Sequence, residues 1–173
     1  EDLDKQLDYL AKSGYSPISL DTAYAALKGG ASLPLKPVVL TFDDGYIDFY
    51  VNAYPILKKY GFHATNFIPT GLMGQSYYLK WDQIKEMDGS GLISFQAHSV
   101  THPNLPTLTL DKLRWELTES KRMLENTLGK PVNFIAYPFG ATNSLVAEEA
   151  KKAGFLGATT TVPGTTISEG TAF

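Results

Sequence analysis

Three short groups of residues could do chemistry, and each stands where an apolar run stops. Val38-Val39-Leu40-Thr41-Phe42 gives way to Asp43-Asp44-Gly45. A second run, from Leu92 to Ala97, gives way to His98-Ser99-Val100-Thr101-His102-Pro103. A third, from Val132 to Ala136, ends in Tyr137-Pro138-Phe139-Gly140. Two adjacent carboxylates repel, and keeping both near one site calls for a cation or a shared proton. Two imidazoles four residues apart would share one face of a helix, as in zincin motifs. Pro103 disfavours a helical conformation at His102, and no Glu follows His98, so the pair is read as a strand end followed by a turn. Such a turn can still bring two imidazoles to one ion. The Pro-Phe-Gly turn can aim backbone N–H groups at a developing oxyanion.

Together these groups supply one carboxylate and two imidazoles as ligands, with one carboxylate left over. Three protein ligands and an open position are the pattern of a catalytic divalent site. Such an ion polarises a carbonyl and acidifies water, and the remaining carboxylate can act as general base. The reaction class is metal-assisted hydrolysis of an acyl group.

The elements that must carry these groups alternate. Leu3, Leu7, Leu10 and Ala11 mark a helix that stops at Gly14. A short helix follows Asp21, and the Gly- and Pro-rich stretch 29–37 is a loop. Val38 to Phe42 reads as one strand buried on both faces. Helix 48–60, strand 64–68, a short helix with Trp81, Ile84 and Met87, and strand 92–97 follow. Leu110, Leu113, Leu117, Leu124 and Leu128 predict a long helix stopped by Gly129. Strand 132–136, helix 145–153 and strand 155–160 complete the series. Strands alternating with helices predict parallel β-α-β units in a doubly wound sheet or a (β/α) barrel. A full eight-fold barrel needs about 250 residues, and this chain has 173. No Gly-x-Gly-x-x-Gly or Walker-type motif is present.

Composition removes other classes. The chain is 43% hydrophobic and 19% charged, which suits a globular core. Fifteen Lys and Arg against eighteen Asp and Glu leave a net charge of -3, and no basic stripe offers itself to nucleic acid. No apolar run approaches the roughly 18 residues that span a bilayer. There is no cysteine, hence no thiolate nucleophile, disulfide or Cys-based zinc site. The start at Glu1, with neither Met nor an apolar leader, is read as a chain processed or cut from something longer.

In this order and spacing, Thr41-Phe42-Asp43-Asp44-Gly45, His98-Ser99-Val100-Thr101-His102-Pro103 and Ala136-Tyr137-Pro138-Phe139-Gly140 resemble the polysaccharide deacetylases, the NodB-homology or carbohydrate esterase 4 family. The resemblance runs from about Pro37 to Thr160 and is nearest to members acting on poly-N-acetylglucosamine. It implies an α/β fold, a distorted and incomplete (β/α) barrel of about five to seven parallel strands. It implies one catalytic domain over residues 1–173, trimmed at both ends. It makes Asp43 the catalytic base, and Asp44, His98 and His102 the ligands of one divalent ion, zinc first, with cobalt or nickel fitting the same donors. It makes the Phe139 backbone N–H an oxyanion donor and Thr101 a brace for the histidine loop.

The implied activity is removal of N-acetyl groups from a GlcNAc-containing polysaccharide, outside the cell or at its envelope. The partner is that polysaccharide, with no nucleic acid and no transmembrane segment. An O-acetyl esterase of xylan type and a non-catalytic carbohydrate-binding wall protein are the alternatives. Intact Asp43, Asp44, His98 and His102 argue against the last.

Two features depart from the family. Ala136 stands where many members carry an arginine that tunes the base. The histidine that protonates the leaving amine is not evident and is expected outside the chain. His63, which opens a strand at the end opposite the motifs, is read as structural or exposed. Trp81 and Trp115 are read as packing residues, and Tyr46, Tyr77, Tyr78 and Phe139 as candidate aromatic faces for a sugar ring.

Overall fold

A computed structural model of the chain describes residues 2–163. Residues 1 and 164–173 of the expected domain lie outside the described residues. Among the described residues, seven strands and six α-helices follow in order: α1 (Asp2–Lys12), β1 (Ser16–Pro17), α2 (Leu20–Leu27), β2 (Pro37–Val38), β3 (Thr41–Phe42), α3 (Tyr54–Tyr60), β4 (Ala64–Ile68), α4 (Trp81–Gly89), β5 (Ile93–Ala97), α5 (Leu110–Leu128), β6 (Phe134–Ala136), α6 (Ser144–Lys152) and β7 (Gly157–Thr159). Strands β3 to β7 form a five-stranded sheet in chain order. An order without reversal, built of parallel neighbours, is that of a (β/α) barrel and not of a doubly wound sheet. Among the described residues this sheet has five strands, an incomplete barrel, as the resemblance implied.

The chain falls into two compact units, Glu1–Asn66 with Gly74–Ser94, and Phe67–Met73 with Phe95–Phe173. In the first unit, β1 and β2 pair in parallel, Ser16 with Pro37 and Pro17 with Val38, and β3 pairs with the start of β4, Thr41 with Thr65. Leu7, Leu57, Leu79, Ile84 and Met87 form its buried core. In the second unit β6 lies between β5 and β7, with Ala97 opposite Ile135 and Ile135 opposite Ala158. Phe67, Phe95, Leu113, Leu117, Leu124 and Val146 are buried there. Burying each such side chain contributes about 1.5–3 kcal/mol.

Helix limits follow their caps. Ser19 Oγ accepts the Thr22 N–H at 3.0 Å to start α2, and Asn143 Oδ1 accepts that of Val146 at 2.9 Å to start α6. Gly61 and Gly129 end α3 and α5 in the left-handed region, at φ 64° and 69°. A π-helical turn, Phe49–Ala53, leads into α3 where the sequence predicted plain helix.

One strand differs from its expectation. The run from Val38 to Phe42 is not a single element buried on both faces. Its first half pairs with β1, where the Ile18 N–H donates to the Val38 carbonyl at 2.8 Å. Its second half pairs with β4, where the Thr65 N–H donates to the Leu40 carbonyl at 2.8 Å. The run changes partner at Val39-Leu40, and Thr41 is exposed. An apolar run carries no mark of which neighbour each residue will pair with.

Candidate functional site

In the first unit the polypeptide leaves β3 through a tight turn. Asp44 and Gly45 both take left-handed conformations, φ 73° and 64°. Aspartate is among the few non-glycine residues that tolerate this region, because its short polar side chain can bond locally. Asp43 is exposed and Asp44 half-buried. Asp43, Phe42, Tyr46, Asp48 and Asn52 border a surface cavity of about 390 Å³. The turn is held from the far side by residues 77–79. The Ile47 N–H donates to the Tyr77 carbonyl at 2.7 Å, and the Leu79 N–H to the Gly45 carbonyl at 2.9 Å. This bridge brings the rings of Tyr46 and Tyr78 together, stacked at 5.2 Å. Burial, with the neighbouring Tyr46 and then the negative charge of Asp44, pushes the Tyr78 hydroxyl above its ordinary pKa. Tyr77, at φ 73°, is 81% exposed.

In the second unit β5 delivers His98, which is 2% exposed. Its Nδ1 lies 2.7 Å from the Ala136 carbonyl at the end of β6. A carbonyl can only accept, so Nδ1 carries the proton and Nε2 becomes the electron-pair donor. This is the arrangement by which proteins orient a metal-binding imidazole. His102 Nε2 lies 3.1 Å from His98 Nε2.

Two nitrogens that share an ion at 2.0–2.1 Å, at octahedral to tetrahedral angles, sit about 2.8–3.4 Å apart. The pair therefore fits a divalent metal. The fit also agrees with the donor chemistry, since neutral imidazole suits zinc and its neighbours.

The loop that sets this spacing is strained. Ser99 and His102 lie at φ 63° and 58°, so His102 is not helical, as Pro103 predicted. Ser99 Oγ accepts the His102 N–H at 3.0 Å. The loop is bonded along both edges. The Thr70 and Gly71 N–H groups donate to the Ser99 and Val100 carbonyls at 3.1 and 2.9 Å. On the other edge, Glu116 Oε2 accepts the Val100 and Thr101 N–H groups at 2.7 and 2.9 Å, and Glu116 Oε1 accepts the Thr101 hydroxyl at 2.5 Å.

The turn after β6 carries Phe139 at φ 61° and Gly140 at φ 66°. Phe139 is 65% exposed, and its ring meets that of His102 edge-on at 4.7 Å. The turn is closed by the Gly140 N–H, which donates to the Tyr137 carbonyl at 2.8 Å, and by the Ala141 N–H, which donates to the Pro138 carbonyl at 3.1 Å.

His63 precedes β4, at the end opposite the Asp43-Asp44 turn of the paired strand. Its Nε2 lies 3.1 Å from Ser94 Oγ, in keeping with a structural role. Trp115 is 44% exposed, with the Lys112 ammonium 5.3 Å from its ring centroid, so it does not pack in the core as expected.

Sequence reasoning missed two residues. One is Ala136, whose carbonyl sets the His98 tautomer and which nothing in its side chain could announce. The other is Glu116. Its signal was present: it lies on the face of α5 that buries Leu113, Leu117 and Ser120, where a carboxylate needs partners.

The fold and these motifs define a class, and the comparisons agree with it. The chain belongs to the polysaccharide deacetylase family, whose model matches residues 30–158. Among solved structures it is similar to the Streptococcus pyogenes deacetylase PplD in complex with acetate, at 40% identity and a TM-score of 0.90, over 94% of this chain and 72% of that one. It is also similar to BC0361, a polysaccharide deacetylase from Bacillus cereus, at 35% identity and a TM-score of 0.86, over 97% of this chain and 52% of that one. A Staphylococcus aureus (strain MRSA252) poly-β-1,6-N-acetyl-D-glucosamine N-deacetylase is 36% identical over 140 residues, 73% of this chain and 48% of that protein. The chain spans 58%, 29% and 48% of three of the curated relatives it matches.

Proposed function

We propose that this chain is the catalytic part of a metal-dependent hydrolase that removes N-acetyl groups from a GlcNAc-containing polysaccharide. The observation that carries the reading is the histidine pair, with its two Nε2 atoms at 3.1 Å and the His98 tautomer set by the Ala136 carbonyl. In this reading Asp44 completes the ligand set. Zinc is the ion proposed first. When bound, it would supply Lewis acidity toward the acyl oxygen and lower the pKa of attacking water.

The remaining work falls to this chain's own residues. Asp43 takes the proton of the attacking water on a carboxylate oxygen, as a general base. The Phe139 N–H, beside His102, donates to the oxygen that gains charge. The stacked Tyr46 and Tyr78 and the exposed Phe139 ring offer apolar faces to pyranose rings. The amine leaves with a proton from an acid that none of these residues supplies. The relatives named poly-β-1,6-N-acetyl-D-glucosamine N-deacetylases support an amide in a glycan over an ester in xylan. In this reading the protein works outside the cell or at its envelope, where such a polymer lies. Among the described residues no helix is long and apolar enough to cross a membrane.

The test is acetate release from β-1,6-linked GlcNAc oligomers and from acetylated xylan, with zinc added. Acetate from the oligomers is expected. Acetate from xylan alone would replace the amide reading with the esterase one.

A further inference from the structure

The carboxylate of Glu116 does nothing in the mechanism above, yet it is 1% exposed. Burying a charge is costly unless it is fully hydrogen-bonded. Glu116 meets that condition with three short bonds, and all three come from Val100 and Thr101, two of the three residues between His98 and His102. Charge-assisted bonds of this kind are about twice as strong as neutral ones. The segment they hold is not relaxed. Ser99 and His102 sit in the left-handed region, and such conformations persist only where surrounding contacts over-determine them.

Glu116 lies on α5, the longest helix, between the buried Leu113 and Leu117, so the brace is anchored in the core. From the opposite edge, the Gly71 N–H bonds the Val100 carbonyl, and a Cβ at Gly71 would come within 2.9 Å of that oxygen. The loop is clamped between a helix and the end of β4, and the 3.1 Å spacing of the imidazole nitrogens is what that clamp leaves.

We propose that Glu116 is a positioning residue: its buried carboxylate holds the histidine loop in its strained form and so sets the affinity of the His98–His102 pair for a divalent ion. The inference rests on the metal reading given above. Glu116 makes its three bonds to Val100 and Thr101. It acts through the backbone of Val100 and Thr101, and it would act in the metal-free protein as well.

The experiment has two readouts, taken on the whole chain. The first is amide hydrogen exchange at Val100 and Thr101 without metal. The second is the dissociation constant and visible absorption spectrum of cobalt(II). In Glu116→Ala, exchange at both amides should quicken at least tenfold, and cobalt affinity should fall ten- to hundredfold, the usual effect of losing an outer partner of a metal site. The cobalt spectrum should change shape, because the angle between the imidazoles is released. Glu116→Gln keeps an acceptor oxygen of the same reach and should recover most of the affinity.

If Glu116→Ala does not fold, Thr101→Val removes one of the three bonds and should move both readouts the same way by a smaller factor. Folded variants with wild-type exchange and wild-type cobalt affinity would overturn the proposal. A wild-type chain that takes up no cobalt would refute the metal reading instead, and the exchange data would still decide whether Glu116 braces the loop.

Discussion

Removal of one imidazole can be followed as a loss of metal-induced stability. His98 Nε2 and His102 Nε2 lie 3.1 Å apart, inside the range of about 2.8–3.4 Å that two nitrogens on one ion occupy. The His98 ring is already oriented by its bond to the Ala136 carbonyl, so little ordering remains to oppose binding. An ion that binds only the folded chain stabilises it by about 2.7 kcal/mol at a concentration of one hundred times Kd. For a chain of this size that raises Tm by about 5–11 °C. Loss of a direct ligand should weaken binding by at least the ten- to hundredfold typical of an outer partner. At the same metal concentration, His98→Ala or His102→Ala with a hundredfold weaker Kd retains about 0.4 kcal/mol, or about 1 °C. The assay is a thermal melt followed by circular dichroism, with zinc and with a chelator, for the wild type and both variants. A zinc-dependent rise in His102→Ala equal to that of the wild type would show that the ion sits elsewhere and would refute the reasoning.

Further outcomes follow from the same geometry. Asp43→Asn should keep the ion, as measured by bound metal per chain, but lower turnover by about 10² or more, as for loss of a general base; Asp44→Asn should instead lose metal. Gly140→Ala should reduce acetate release and lower Tm, because a Cβ at φ 66° would collide with the Thr161 side chain and come within 2.6 Å of its backbone nitrogen, displacing the turn that carries Phe139. Arg114, and then Lys152, hold the buried Glu149 carboxyl down at about 2 from 4.5. A carboxyl held low stabilises the fold fully above about pH 4.5, and that contribution fades as pH falls toward 2. Urea titrations from pH 5 to pH 2 should therefore show a gentler acid decline in Glu149→Gln than in the wild type.

How much of this was legible in the sequence depended on whether one residue carried the signal by itself. Strand ends at Phe42, Ala97 and Ala136 could be read because apolar runs switch there to Asp, His and Tyr-Pro. Helix stops at Gly61 and Gly129 could be read because only glycine takes their left-handed conformation without strain. Pro103 ruled out a helical histidine pair, and the loop proved strained instead.

What could not be read depended on partners far away in the chain. The run Val38 to Phe42 looked like one strand because nothing in it says that Val38 pairs with β1 and Thr41 with β4. The π-helical turn at Phe49–Ala53 has no compositional mark. Trp115 sat at an apolar spacing on α5, yet it faces outward beside Lys112. Glu116, one residue further on, shares the buried face of Leu113, Leu117 and Ser120, but nothing in the helix says which groups it meets there. Its role exists only because the fold sets Val100 and Thr101 against it.

The most direct test of the central claim is acetate release from a β-1,6-linked GlcNAc oligomer by the same preparation in three states: as purified, stripped with a chelator, and reloaded with one equivalent of zinc. The account predicts release that vanishes on stripping, returns on reloading, and stays absent when His102→Ala is reloaded in the same way. Equal release from the stripped and reloaded wild-type chain, or full recovery in His102→Ala, would contradict it.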